Sequence, residues 1–115
     1  MTTKLTSIIV LTLIAIALIA GLSLWNQLPD QMASHWNAND QVDGYISRFW
    51  GVFLMPLITL GMFVLFLVVP GIDPLKANIA QFREAFNLFI ALMVAFMLYI
   101  HGLTLAWSLG YQDFK

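Results

Sequence analysis

The chain has no cysteine. Disulfides, thiolate nucleophiles and cysteine-based zinc or iron–sulfur sites are therefore excluded. Histidine is almost as scarce, with His35 and His101 alone, which argues against a multi-histidine metal site within one chain. Charge is sparse: 10% of residues are Asp, Glu, Lys or Arg, against roughly a quarter in a typical soluble domain. The net charge is −1 and no basic patch exists, so nucleic acid is not an expected partner. No HExxH, P-loop or glycine-rich phosphate loop occurs. No carboxylates are paired within an apolar run, and no serine or threonine lies in a nucleophile motif. A protein without cofactor or enzymatic activity is the expectation.

What is present is hydrocarbon. Of the 115 residues, 61% are hydrophobic, too many for a soluble domain of this size to cover with polar surface. The expected class is an all-α membrane protein with three transmembrane helices, over about 7–25, 49–69 and 86–109. Ser7–Trp25 would extend ~28 Å as a helix, close to the ~30 Å hydrocarbon core of a bilayer. A cleaved signal peptide is the rival reading, but the apolar run exceeds the usual ~7–15 residues, so a retained helix is expected. Phe49–Val69 is the second span, ended by Pro70-Gly71. Its internal Pro56 predicts a kink near Val52–Pro56, with neighbouring helices covering the freed carbonyl. Trp25, Phe49 and Trp50 occupy interfacial positions.

Asn26–Arg48 is the polar loop between the first two spans, and His35–Arg48 within it is the longest polar run. Leu28-Pro29-Asp30 breaks the helix. Asn37-Ala-Asn39-Asp40 and Asp43-Gly44 are turn signals. A compact, turn-rich cap is expected, with Asn37, Asp43 and Gly44 shaping the backbone and Trp36 and Tyr45 anchoring it at the interface. His35, Asn37, Asn39, Asp40 and Asp43 could instead form a small cation site, but the stretch lacks the bidentate Glu of an EF-hand loop. Turn capping is the favoured reading, and it leaves His35 without a packing role.

Within the second loop, Gly71–Ala85, Asp73-Pro74 reads as an N-cap followed by proline at the first helical position. Leu75, Ile79, Phe82 and Phe86 recur at helical spacing, which predicts a short amphipathic interfacial helix over Pro74–Ala85. Asp73, Lys76, Asn78, Arg83 and Glu84 could meet lipid head groups. Two cations fall short of the ~4–8 of a strong anionic-lipid patch.

In the third span, Asn87, His101, Thr104 and Ser108 fall within an arc of roughly 100°, with Trp107 pointing away from them. That stripe should face protein or water. His101 could relay protons or line a path, but no acidic residue lies inside any span, so packing is favoured. Lys4, Lys76 and Arg83 on one side against Arg48 and Lys115 on the other predict a cytoplasmic N-terminus in a multi-pass protein of the cell membrane.

The stretch LPDQMASHWNANDQVDGYISRFWG resembles the uncharacterised membrane domain at the N-terminal end of SdpI-like immunity proteins. That pattern runs Leu-Pro, His-Trp/Phe-Asn, Asp-Gly-Tyr, then a basic residue leading into the second span. IDPLKANIAQFREAFN resembles the same family's Asp-Pro…Asn…Phe segment. The positions that match are His35, Trp36, Asn37, Asp43, Gly44, Tyr45, Asp73, Pro74 and Asn78. Ala33 departs where relatives usually have Pro, and Asp40 where they usually have Gly. The second departure predicts a left-handed backbone at Asp40. SdpI-like proteins carry about twice as many spans, so the N-terminal half alone is expected here. The resemblance implies a binding, immunity or signalling role in which the 26–48 loop meets a membrane-active peptide, a lipid or a partner subunit. A transporter subunit with the His101 stripe lining a path is the alternative. A helix trio encloses little interior, so a homo-oligomer or a second membrane subunit is expected.

Overall fold

The computed structural model describes residues 1–72 and 81–112. Three helices are long and apolar enough to cross a membrane, and a two-stranded sheet lies between the first two. The first helix, α1 (Thr3–Ser23), begins earlier than Ser7 because Thr2 caps it. The Leu5 amide donates to the Thr2 hydroxyl at 3.0 Å. The Thr6 and Ser7 hydroxyls donate back to the Thr2 and Thr3 carbonyls, both at 2.8 Å. The polar start is thus absorbed into the helix without orphan hydroxyls. After α1 comes a single 3₁₀ turn, Trp25–Gln27, and Leu28 is extended as the residue before a proline must be.

The expected cap is a β-hairpin. Strands β1 (Gln31–Trp36) and β2 (Val42–Ser47) pair antiparallel, with Met32 opposite Ile46, Ala33 opposite Tyr45 and Trp36 opposite Val42. The register slips on either side of His35, so strict inward–outward alternation is lost. Leu28 and Met32 are driven into a cluster with Val52 and Leu105, and this plugs the hairpin into the bundle.

Helix α2 (Arg48–Ile72) follows β2 directly and stays helical through Pro56 and on past Val69 to Ile72. A proline in a membrane helix is tolerated where neighbours cover the freed carbonyl. Here Val52, four residues before Pro56, is fully buried. It lies so close to Gly21 of α1 that a Cβ there would stand 2.7 Å from its Cγ1. The third helix, α3 (Arg83–Ser108), starts at Arg83 rather than Phe86. Arg83–Ala85, expected at the end of an interfacial helix, are its first turn. The remainder of that expected helix lies largely outside the described residues.

All three helices pack on one another. A central core of Val10, Ile14, Phe63, Ile90 and Val94 joins them. β1 rests against α2 and α3, and β2 against α2. The fold is thus the expected three-helix membrane architecture with a small sheet added at one end.

Candidate functional site: the hairpin and the cleft beneath it

Arg48 holds the base of the hairpin. Its guanidinium donates to the Trp25 carbonyl at 3.0 Å, pairs with the Asp30 carboxylate and lies 5.3 Å from the centre of the Trp25 ring. Its amide donates to the Asp30 carbonyl at 2.9 Å. One side chain therefore ties the start of α2 to the chain leaving α1. Sequence reasoning noted Arg48 only as a charge leading into a span. Its partners lie 18 and 23 residues away, beyond the reach of local spacing.

At the tip, Asn37 organises the turn. Its carboxamide oxygen accepts from the amides of Asn39 at 2.9 Å and Gln41 at 3.0 Å, and its own amide donates to the Gln41 carbonyl. Asp40 has φ +61°, the left-handed conformation expected there. Asp43 pairs with His35 at 2.5 Å between Oδ1 and Nδ1. That supplies the role that His35 lacked: it joins the two strands at the register slip, opposite Gly44. A Cβ on Gly44 would come within 3.1 Å of the His35 Cβ, so the slip favours glycine. Asp43 thus faces His35, Asp30 faces Arg48, and the Asn37 oxygen faces backbone amides. Among the described residues, no three His, Asp or Glu side chains converge on one point.

The hairpin is also fixed to the bundle. The Trp36 ring meets Trp107 edge-on, with centres 5.5 Å apart. Met32 is buried over Gly51, where a Cβ would overlap its sulfur. Tyr45, by contrast, is 61% exposed, and the His35 side chain is exposed as well. The hairpin is braced below and free above.

Between the hairpin, α2 and α3 lies a partly enclosed cleft of ≈ 120 Å³, lined by Met32, Ser34, Ile46, Met55, His101 and Thr104 among others. His101 is 4% exposed, and its buried Nε2 meets no hydrogen-bond partner among the described residues. The Thr104 hydroxyl donates to the His101 carbonyl at 2.7 Å. Of the polar stripe, then, His101 and Thr104 share the cleft. Asn87 lies at the other end of the bundle and donates to the Met1 carbonyl and the Thr3 hydroxyl, both at 3.1 Å. Ser108 near the end of α3 has a buried hydroxyl with no bond partner among the described residues. Asp73, Pro74 and Asn78 lie outside the described residues.

These features define a multi-pass membrane protein with a braced hairpin joining its first two spans. Residues 12–60, covering the second half of α1, the whole hairpin and the first half of α2, match a family described as a domain of unknown function (DUF1648). None of the curated proteins and none of the solved structures matches the chain.

Proposed function

We propose that the chain is a non-enzymatic binding module of the SdpI-like kind, with the hairpin as its docking surface for a polypeptide. The partner is a membrane-active peptide, as the immunity reading requires, or a second membrane subunit. One observation carries this reading: the hairpin is braced at base, middle and one strand end, while His35 and Tyr45 remain outward. Helix pairs in bundles are commonly joined by ~2–8 residues. A longer connection, folded and tied down by Arg48, Met32 and Trp36, suits a surface that must hold its shape when a partner arrives. We also propose that the N-terminus is cytoplasmic, which places the hairpin on the opposite side of the membrane.

Because the chain has no cysteine, single cysteines are clean probes. Tyr45→Cys or His35→Cys carrying a photo-crosslinker, in native membranes, is expected to give a discrete product with one polypeptide. Leu92→Cys, on the lipid-facing side of α3, is expected to give none. If neither hairpin position yields a discrete product, the docking reading fails. Cells expressing the chain should also gain resistance to at least one membrane-active peptide, and unchanged sensitivity to a broad panel would remove the immunity role. An impermeant maleimide should label Tyr45→Cys but not Lys4→Cys in intact cells. The reverse pattern would overturn the orientation.

The transporter reading draws support from His101 and Ser108, whose buried polar atoms meet no bond partner among the described residues. Asn87 and Thr104 already donate to protein oxygens, and this supports packing over a path for those two.

A further inference from the structure

We infer that the cleft beneath the hairpin is a binding site for an uncharged, single-headed amphiphile, whose hydroxyl or ester carbonyl meets His101 while its hydrocarbon lies between α2 and α3. Three observations converge on this chemistry. The first is depth. Trp50, Gly51, Leu54 and Met55 come from the first two turns of α2, and His101 lies two turns inside the end of α3. The cleft therefore runs from the hairpin to ~10 Å beneath it along the helices; with the hairpin at the membrane interface, a lipid's glycerol backbone and the start of its acyl chain would lie at that depth.

The second observation is the polar inventory. The His101 ring nitrogen Nε2 is buried without a partner among the described residues, and imidazole can donate or accept there. The Thr104 hydroxyl, having donated its hydrogen to the helix backbone, keeps its acceptor capacity. Ser34 adds a hydroxyl on the hairpin side. These groups suit one small neutral head. Among the described residues no Lys, Arg, Asp or Glu lines the cleft, so none of these compensates a phosphate or carboxylate.

The third is the mouth. Leu54 and Ile100 line the cleft and are also exposed on the outer surface of the bundle, as is Trp50. In a bilayer these positions face lipid, so a chain can enter sideways without displacing the hairpin. Met55 supplies a flexible, polarisable wall that fits a chain of no fixed shape, beside the tightly packed Met32.

The test uses the full chain in phosphatidylcholine nanodiscs, with no polypeptide partner present, so its outcome is separate from the docking reading. The probe is a monoacylglycerol with a diazirine in its acyl chain, and the comparison probe is a lysophosphatidylcholine with the same chain. Adducts are mapped by peptide mass spectrometry. The neutral probe is expected to label the cleft residues Met32, Leu54 and Met55 at least five-fold more than the lipid-facing Leu92 and Ile19. The charged probe should show no such preference. His101→Phe, which keeps a ring but removes the nitrogen, should abolish the enrichment, and so should Leu54→Trp, which blocks the mouth. Equal labelling of cleft and lipid-facing positions would overturn the proposal. So would enrichment retained in either variant, or equal enrichment with the charged probe.

Discussion

At the scale of single residues, Arg48 does more than its charge suggests. Its pair with Asp30 is of the kind that contributes little, because Asp30 is 87% exposed while Arg48 is 25% exposed. Such pairs give ~0.2–1 kcal/mol. The bond from the guanidinium to the Trp25 carbonyl is charge-assisted and partly buried, and such bonds give about 1.5–3 kcal/mol. Arg48→Ala is therefore expected to cost about 2 kcal/mol in detergent unfolding followed by tryptophan fluorescence, and Asp30→Asn less than about 1 kcal/mol. Equal losses would mean that the ion pair, not the carbonyl bond, holds the hairpin base. Asp40 offers the opposite sign. A left-handed backbone is disfavoured for residues with a Cβ and free of that penalty in glycine, though Asp tolerates it better than most. Asp40→Gly should leave stability unchanged or raise it by up to about 1 kcal/mol. A loss would show that the Asp40 side chain holds the turn.

At the scale of elements, the three spans were legible because burial in lipid demands long apolar runs, which composition alone reveals. The left-handed turn was legible at Asp40 because one residue departs from a pattern. The hairpin was not, and the reasons are physical. Its strands carry few β-branched residues, and the slips around His35 destroy the period of two. Its connection is the longer Asn37–Gln41 turn rather than a two-residue Asn-Gly one. Helix starts were misplaced where side chains cap the backbone, as Thr2 does, or where a charged residue such as Arg83 begins an apolar helix. The packing of the hairpin also rests on something a one-dimensional pattern hides: Gly51 is needed as space for Met32. Gly51→Ala gains roughly 1 kcal/mol of helix propensity but overpacks a buried contact, at a typical cost of 1–3 kcal/mol. It should be neutral to destabilising in the native background. In a Met32→Ala background the contact is gone and the same change should stabilise. A double-mutant cycle read by thermal unfolding in detergent tests this, and an effect of the same sign and size in both backgrounds would refute the close contact.

At the scale of the whole molecule, the two ends of the bundle are held by different chemistry. At the hairpin end are Arg48, the cluster around Met32 and all four tryptophans: Trp25, Trp36, Trp50 and Trp107. At the other end the Asn87 amide, 1% exposed, joins α3 to the start of α1, and the Arg83 side chain reaches Thr3 at 3.3 Å. Along α1, Thr3 and Ser23 are ~30 Å apart. Every helix nevertheless crosses both regions, and the central core of Val10, Phe63 and Val94 lies between them. That continuity predicts a single cooperative unit. Asn87→Leu leaves the part-buried Met1 carbonyl short of a donor and should cost about 1–3 kcal/mol. Its effect should add to that of Arg48→Ala within about 0.5 kcal/mol, as for distant sites that share no partner. The tryptophans report on the hairpin end alone, whereas far-ultraviolet circular dichroism reports on all three helices. The two transitions should coincide in the native chain and in both variants. Fluorescence that fell before the helical signal, above all in Arg48→Ala, would show that the hairpin end opens by itself. The docking surface would then be a separately unfolding element rather than a braced one.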